Sequence, residues 1–283
     1  MLRTEAAAAL DATAQHFLQA LARMSVERIP AGKVAIVAAH PDDETIGLGG
    51  QILRLQGVTV MHVTDGAPHH AQAHGFPTRE AYALARRQEL CAAMALGDVP
   101  EDALVSLDIA DQEASLFLPD TARRLAALFR ERSFDVVITH AFEGGHPDHD
   151  ATALAVHAAA ALLKEGGLAP ALVEMPLYHL GLTGWTVQRF VAAPGPPEPA
   201  IELSDDQRRR KQAMINAHHT QRQVLSMVAA DIERVRPAAT YDFSVLPNEG
   251  RLLYDLYGWG MTGVRWRALA AAALDELGLD TVL

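Results

Sequence analysis

Val34-Ala35-Ile36-Val37-Ala38-Ala39-His40-Pro41-Asp42-Asp43-Glu44 passes without a break from a wholly apolar run into a turn of one imidazole and three carboxylates. An apolar run this short, bounded by Gly32 and Pro41, is the pattern of a strand buried on both faces. Working outward, Thr45 to Gln56 places Ile46, Leu48, Ile52, Leu53 and Leu55 at helical spacing, which predicts a helix over that span. Val58 to Val63 reads as a second strand ending at Thr64-Asp65-Gly66, and Thr78 to Leu96 as a helix that stops at Gly97. Between them, Pro68 to Pro77 carries His69, His70 and His74 without periodicity and reads as a mobile loop. Asp120 to Arg132 is a further helix, and Asp135 to Thr139 repeats the buried-strand pattern before His140. Strand alternating with helix predicts an α/β layer fold with a mostly parallel central sheet flanked by helices.

In such a sheet, ligands bind outside the carboxyl ends of the strands. Two of those ends are rich in polar groups: His40-Pro41-Asp42-Asp43-Glu44, and His146-Pro147-Asp148-His149-Asp150 after the Gly144-Gly145 loop. If their strands are near neighbours, both clusters open onto one crevice. His40 and Asp43, three apart across a proline-stiffened turn, can share one small cation, and His149 supplies a third ligand from the second loop. Three protein ligands with a fourth position left for water is the arrangement of a catalytic zinc site. Asp42 is then placed as general base, His146 as the group that stabilises the oxyanion and protonates the leaving amine, and Asp148 as the residue that orients His146. Singly, such Asp residues are as well explained as helix caps and turn formers; two separate His-Pro-Asp clusters at strand ends are not.

The remaining chemistry-bearing residues read more plainly. His62 lies in a strand pattern as a core histidine; His69, His70, His74 and His157 read as solvent or loop histidines, and Cys91 as helix packing. A single cysteine among 283 residues excludes an internal disulfide and a thiolate-rich zinc site, and makes a reduced, cytoplasmic setting the default. A net charge of −11 argues against nucleic acid or an anionic membrane as partner. The basic run Arg208 to Lys211 reads as the solvated side of a helix, and no stretch is long and apolar enough to span a bilayer. Pro194 to Pro199 is the clearest linker, dividing a Rossmann-like α/β body, 1–193, from a mostly helical extension, 194–283, expected to pack on the same domain. Homo-oligomerisation is left open.

At these residues the sequence resembles the PIG-L or LmbE-like family of zinc-dependent N-deacetylases, whose two hallmark motifs stand here as Ala39 to Glu44 and His146 to His149. The similarity extends to Thr64-Asp65-Gly66 and to the helix bearing Arg86, Arg87 and Glu89, with its core over 30–165. It implies a Rossmann-like fold, metal ligands His40, Asp43 and His149, Asp42 as base, and His146 as acid or oxyanion partner. It also implies a substrate-contacting arginine, Arg86 or Arg87, between which the spacing does not decide. His218-His219-Thr220-Gln221 is similar to a family His-x-Ser-Gln element with Thr for Ser, which marks His218 as a pocket residue.

The expected reaction is therefore hydrolysis of the N-acetyl group of a small amino-sugar derivative to amine and acetate, with one Zn2+ per chain or another divalent ion in its place. An amide of a non-sugar metabolite or thiol conjugate is the nearer alternative. A catalytically silent sugar- or nucleotide-binding module is the farther one, and it has no need of a second carboxylate beside a metal ligand. Tyr254, Tyr257, Trp259 and Phe243 suit either stacking on a sugar or packing a core.

Overall fold

The structure, a computed structural model, describes residues 2–23, 27–192 and 200–283; the linker expected at Pro194 to Pro199 lies outside the described residues. Six strands make the central sheet: β1 (Val34–Ala38), β2 (Thr59–Thr64), β3 (Leu104–Ile109), β4 (Val136–His140), β5 (Ala171–Met175) and β6 (Arg236–Pro237). Their order is β3-β2-β1-β4-β5-β6, parallel throughout except for β6, which runs antiparallel to β5. This is the doubly wound, Rossmann-like order, and its strand order reverses between β1 and β4. Those two strands are direct neighbours, with Val34 opposite Val136 and Ile36 opposite Ile138. The two polar strand ends therefore face one crevice, as the sequence requires for a shared site.

The helices among the described residues are α1 (Leu2–Ala22), α2 (Asp43–Leu48), α3 (Arg79–Ala95), α4 (Leu118–Arg132), α5 (Pro147–Lys164), α6 (Asp205–Ala217), α7 (Leu253–Tyr257) and α8 (Gly263–Leu277), with a single further turn at Arg222–Leu225. Every residue of β1 and β4 is buried because helices cover both faces of the sheet. On one face Ile36, Val60 and Ile138 pack with Leu90 and Met94 of α3 and Met214 of α6. On the other, Val37, Met61 and Val137 pack with Leu125 and Phe129 of α4, Leu154 of α5 and Trp266 of α8. The C-terminal third thus supplies helices to both layers and returns β6 to the sheet.

Three local expectations change. The helix expected over Thr45 to Gln56 is shorter, because α2 ends at Leu48 and a separate 3-10 turn covers Ile52–Arg54. The amide of Gly50 donates to Glu233 Oε1 at 2.8 Å in place of a helical carbonyl, and a side chain at Gly50 would collide with Leu203. The segment Pro68 to Pro77 is anchored rather than free: it contains a 3-10 turn, Ala71–His74, and the rings of His74 and Phe76 stack on Tyr82 at 5.0 and 4.6 Å. His157, expected at the surface, is buried in α5, where its ring meets those of Tyr241 and Phe243 at 5.5 and 5.6 Å. The expectations for His62 and Cys91 hold: His62 is buried with Nε2 2.9 Å from Glu44 Oε2, and Cys91 packs against the core. Among the described residues no helix is long and apolar enough to cross a membrane.

Candidate functional site

β1 delivers His40 to the crevice, and α2 starts three residues later at Asp43. The His40 amide donates to Asp43 Oδ2 at 2.8 Å, which locks the turn and aims the carboxylate inward. Asp43 is the pivot of the cluster. Its Oδ2 lies 3.3 Å from His40 Nδ1, and its Oδ1 lies 3.3 Å from His149 Nε2. His149 and His146 arrive from the start of α5, with Pro147 at its first position. The preceding Gly145 is obligatory, since a Cβ there would stand 1.9 Å from the carbonyl oxygen of Tyr178. The imidazole nitrogens of His40, His146 and His149 lie within 4.8 Å of one another.

His149 Nε2 is buried without a hydrogen-bond partner and points at a carboxylate, which is the situation of a nitrogen awaiting a cation. An imidazole and carboxylate donor set suits zinc and related divalent ions. His149 belongs to two groups that fit a cation, one with His40 and His146 and one with Asp43 and His140, and the expected trio His40, Asp43 and His149 draws on both.

Asp42, at 5% exposure, is gripped by Arg86. The guanidinium donates to Asp42 Oδ1 at 3.2 Å, to the Pro41 carbonyl at 3.0 Å and to the Gly66 carbonyl at 3.1 Å. Burial pushes the Asp42 carboxyl up to about 7, with Arg86 opposing the rise and Asp43 adding to it. The Asp43 carboxyl stands well below the usual range, because His149 and His40 outweigh its burial. The His40 imidazole is raised well above its ordinary value: burial would lower it, but Asp111, aided by Asp148 and Asp43, outweighs that. His146 is held well below its ordinary value by burial and by the neighbouring His40.

His146 caps α5, its Nδ1 accepting the backbone N–H of Asp148 at 3.2 Å. Nδ1 then carries the lone pair, so the neutral ring bears its proton on Nε2. The expected role of Asp148 changes accordingly. Its amide orients His146, while its carboxylate stays 4.0 Å from His146 Nδ1, accepts from the Gln112 and Ala114 amides and lies 3.2 Å from His40 Nε2.

The other expected residues separate. Arg86 is in the site; Arg87 is not, being half-exposed on α3 and 3.6 Å from Glu101. His218 is fully buried behind the site, its Nε2 3.4 Å from Thr45 Oγ1 and 3.9 Å from Glu44 Oε1, so it supports α2 and does not line the crevice. The element that follows it docks the C-terminal third on α3: Thr220 donates twice to Glu89, and Gln221 donates to Tyr82.

Two polar residues join the site without having been singled out. Asp111 Oδ1 lies 3.1 Å from His40 Nε2, and Asp111 groups with His40, His146 and Asp148. It follows β3, so the rule that marked the other two strand ends points to it as well. His140 ends β4, stacks on His149 at 4.4 Å and accepts the Ala39 amide at 2.8 Å. Tyr178 stands 5.0 Å from His149, and Trp259 stands 5.0 Å from His146; no local pattern brings either to these positions.

Residues 35–160 match the family model for PIG-L, GlcNAc-PI de-N-acetylase. Over this stretch, just under half of the chain, the sequence is similar to the PIG-L family. The stretch holds the expected trio of metal ligands together with Asp42, Arg86, Asp111 and His146. Among solved structures, the A40926 pseudoaglycone deacetylase is similar at 20% identity, with 75% of this chain and 100% of that one covered and a TM-score of 0.55. The N,N'-diacetylchitobiose deacetylase from Pyrococcus horikoshii is similar at 19% identity, over 78% and 91% of the two chains, with a TM-score of 0.52. The zinc-inhibited form of teicoplanin deacetylase is similar at 16% identity, over 72% and 98%, with a TM-score of 0.50. At such identities the likeness is one of fold, and it extends beyond residues 35–160. No curated protein sequence matches.

Proposed function

We propose that this chain is a metal-dependent N-deacetylase, hydrolysing the N-acetyl amide of an N-acetylglucosamine-type substrate to free amine and acetate. His40, Asp43 and His149 would hold the ion, which we assign as zinc. When bound it acidifies a water and polarises the amide carbonyl. The chain's own groups do the rest. Asp42, fixed by Arg86, takes a proton from the attacking water. His146 presents Nε2–H to the carbonyl oxygen as negative charge grows there. As the C–N bond breaks, the proton that Asp42 took passes to the nitrogen, and the amine and acetate leave. Burial keeps these exchanges out of bulk water, which strengthens each electrostatic contact.

The observation that carries this reading is Asp43 placed 3.3 Å from both His40 and His149, with a second buried carboxylate, Asp42, directly beside it. A binding module has no use for that second carboxylate. The PIG-L match and the fold shared with deacetylases of acylated sugars and glycopeptides support the same reaction class. The test is acetate release from an N-acetylglucosaminide by native protein and by Asp42→Asn. The variant should retain its metal and lose about 10²- to 10⁴-fold in turnover; unimpaired turnover would remove Asp42 from the mechanism.

A further inference from the structure

Beyond His146 the crevice continues as a wall of aromatic rings that the reaction above does not use. Trp259 lies 5.0 Å from the His146 ring, Tyr257 stacks on Trp259 at 5.5 Å and 18°, and Trp185 meets Trp259 at 6.1 Å. On its other side Trp185 lies 5.0 Å from Tyr178, which leads back to His149. The wall therefore joins both histidine loops of the site. Two segments far apart in sequence build it: the hairpin Tyr178–Leu180 with Trp185–Val187, and the turn that follows α7. That turn is shaped by Gly258 and Gly260, whose φ of +63° and +71° bracket Trp259. Trp185 and Trp259 are only partly buried, and Tyr257 is 54% exposed. Phe243 and Tyr254, by contrast, are fully buried core residues, so the aromatic residues of this region divide between packing and wall.

Accepting the amino-sugar reading on which this inference rests, the geometry points to a carbohydrate subsite: Trp185, Tyr257 and Trp259 take the face of a second sugar ring, joined to the ring that carries the scissile amide. The position follows from His146. The sugar bonded to the leaving nitrogen must sit against that imidazole and hence against Trp259, and Trp185 and Tyr257 extend the surface further than one ring needs. The chemistry follows from the wall's edges. Aromatic faces bury the C–H face of a pyranose and leave its hydroxyl rim in water. Trp185 Nε1 donates to the Tyr257 hydroxyl at 2.8 Å, and that hydroxyl keeps its own hydrogen for a sugar hydroxyl. A wholly apolar group on the wall would instead cover that hydrogen without offering it an acceptor. A net charge of −11 favours a neutral ring over an anionic one.

The chain has 3 tryptophans, and the third, Trp266, is fully buried with Nε1 on the Pro147 carbonyl, so ligand-dependent emission reports on the wall. Fluorescence titration of the Asp42→Asn protein, chosen to slow ligand consumption, compares N-acetylglucosamine, N,N'-diacetylchitobiose and phenyl N-acetyl-β-glucosaminide. The disaccharide should bind about tenfold more tightly than the monosaccharide, and more tightly than the phenyl glycoside. Trp259→Leu and, at the exposed position where folding is not at risk, Tyr257→Ala should each erase most of that preference. Equal affinity for one ring and two, a preference for the phenyl glycoside, or a disaccharide preference that survives both variants would overturn the subsite. Acetate release by the native chain is read separately: its absence, with the disaccharide preference intact, overturns the deacetylase reading and leaves the subsite standing.

Discussion

Arg86 and Arg87 are consecutive on one helix, yet they have opposite fates. Seventeen residues of helix turn Arg86 into the crevice, where it is 3% exposed and pairs with Asp42, and turn Arg87 outward toward Glu101. Losing the inner charge leaves Asp42 buried without its partner, a change that costs about 3 kcal/mol in typical buried pairs. Arg86→Met should therefore lower unfolding stability by about that amount and turnover by at least about tenfold, whereas Arg87→Ala should cost under about 1 kcal/mol and spare turnover. Urea denaturation and acetate release on the two variants check both. Sequence spacing alone does not choose between these neighbours. The choice is made by the carbonyls of Pro41 and Gly66, which only the folded β1 and β2 ends bring within reach of one guanidinium. For His40, Asp42, Asp43, His146 and His149 the reverse holds. Each lies within a few residues of its partners or at an adjacent strand end, so motif and strand position were enough to place them together. Asp148 lies beside them, but the capping geometry of α5 gives His146 a backbone donor in place of the expected carboxylate.

At the scale of elements, β1, β4 and the crevice between them were legible because apolar runs with polar ends follow from burial on both faces. The length of α2 was not. Periodicity continues past Leu48, but Glu233, 183 residues further along the chain, captures the Gly50 amide. Lys211, expected on a solvated helix face with Arg208 to Arg210, is instead fully buried: it pairs with the same Glu233 carboxylate at 2.7 Å and donates to the Ile46 carbonyl at 2.8 Å. One buried ion pair thus closes the helix whose first residue is Asp43. Such tertiary capping leaves no local signature. The same is true of the aromatic wall, since Trp185 sits on a short hairpin and Trp259 on a glycine-flanked turn. His157 was misread for a related reason: α5 is buried along nearly its whole length, so a lone polar residue in it is enclosed despite its chemistry.

For the whole molecule, buried imidazoles set the response to acid. Burial pushes His157 down to about 4, against about 6.5 in an unfolded chain. A lowered value in the folded state means that the unfolded chain takes up the proton first. Stability from this site is therefore complete above about pH 6.5, is lost as pH falls from 6.5 toward 4, and falls no further below that. The loss amounts to roughly 3 kcal/mol, and His157→Leu should remove that part of the pH dependence. Denaturation midpoints of both proteins at pH 7.5, 5.5 and 4.5 would reveal it as a narrowing gap, and a gap constant with pH would contradict it. The proposed mechanism stands on the three ligands assigned to neighbouring strand ends, His40, Asp43 and His149. Its most direct test is metal content by elemental analysis of protein purified without added metal, native against His149→Ala, with acetate release measured on the same samples. The account predicts about one zinc or similar divalent ion per native chain, and loss of both metal and acetate release in the variant. A native chain that releases acetate while binding no metal, or a variant that keeps its metal and its activity, would contradict it.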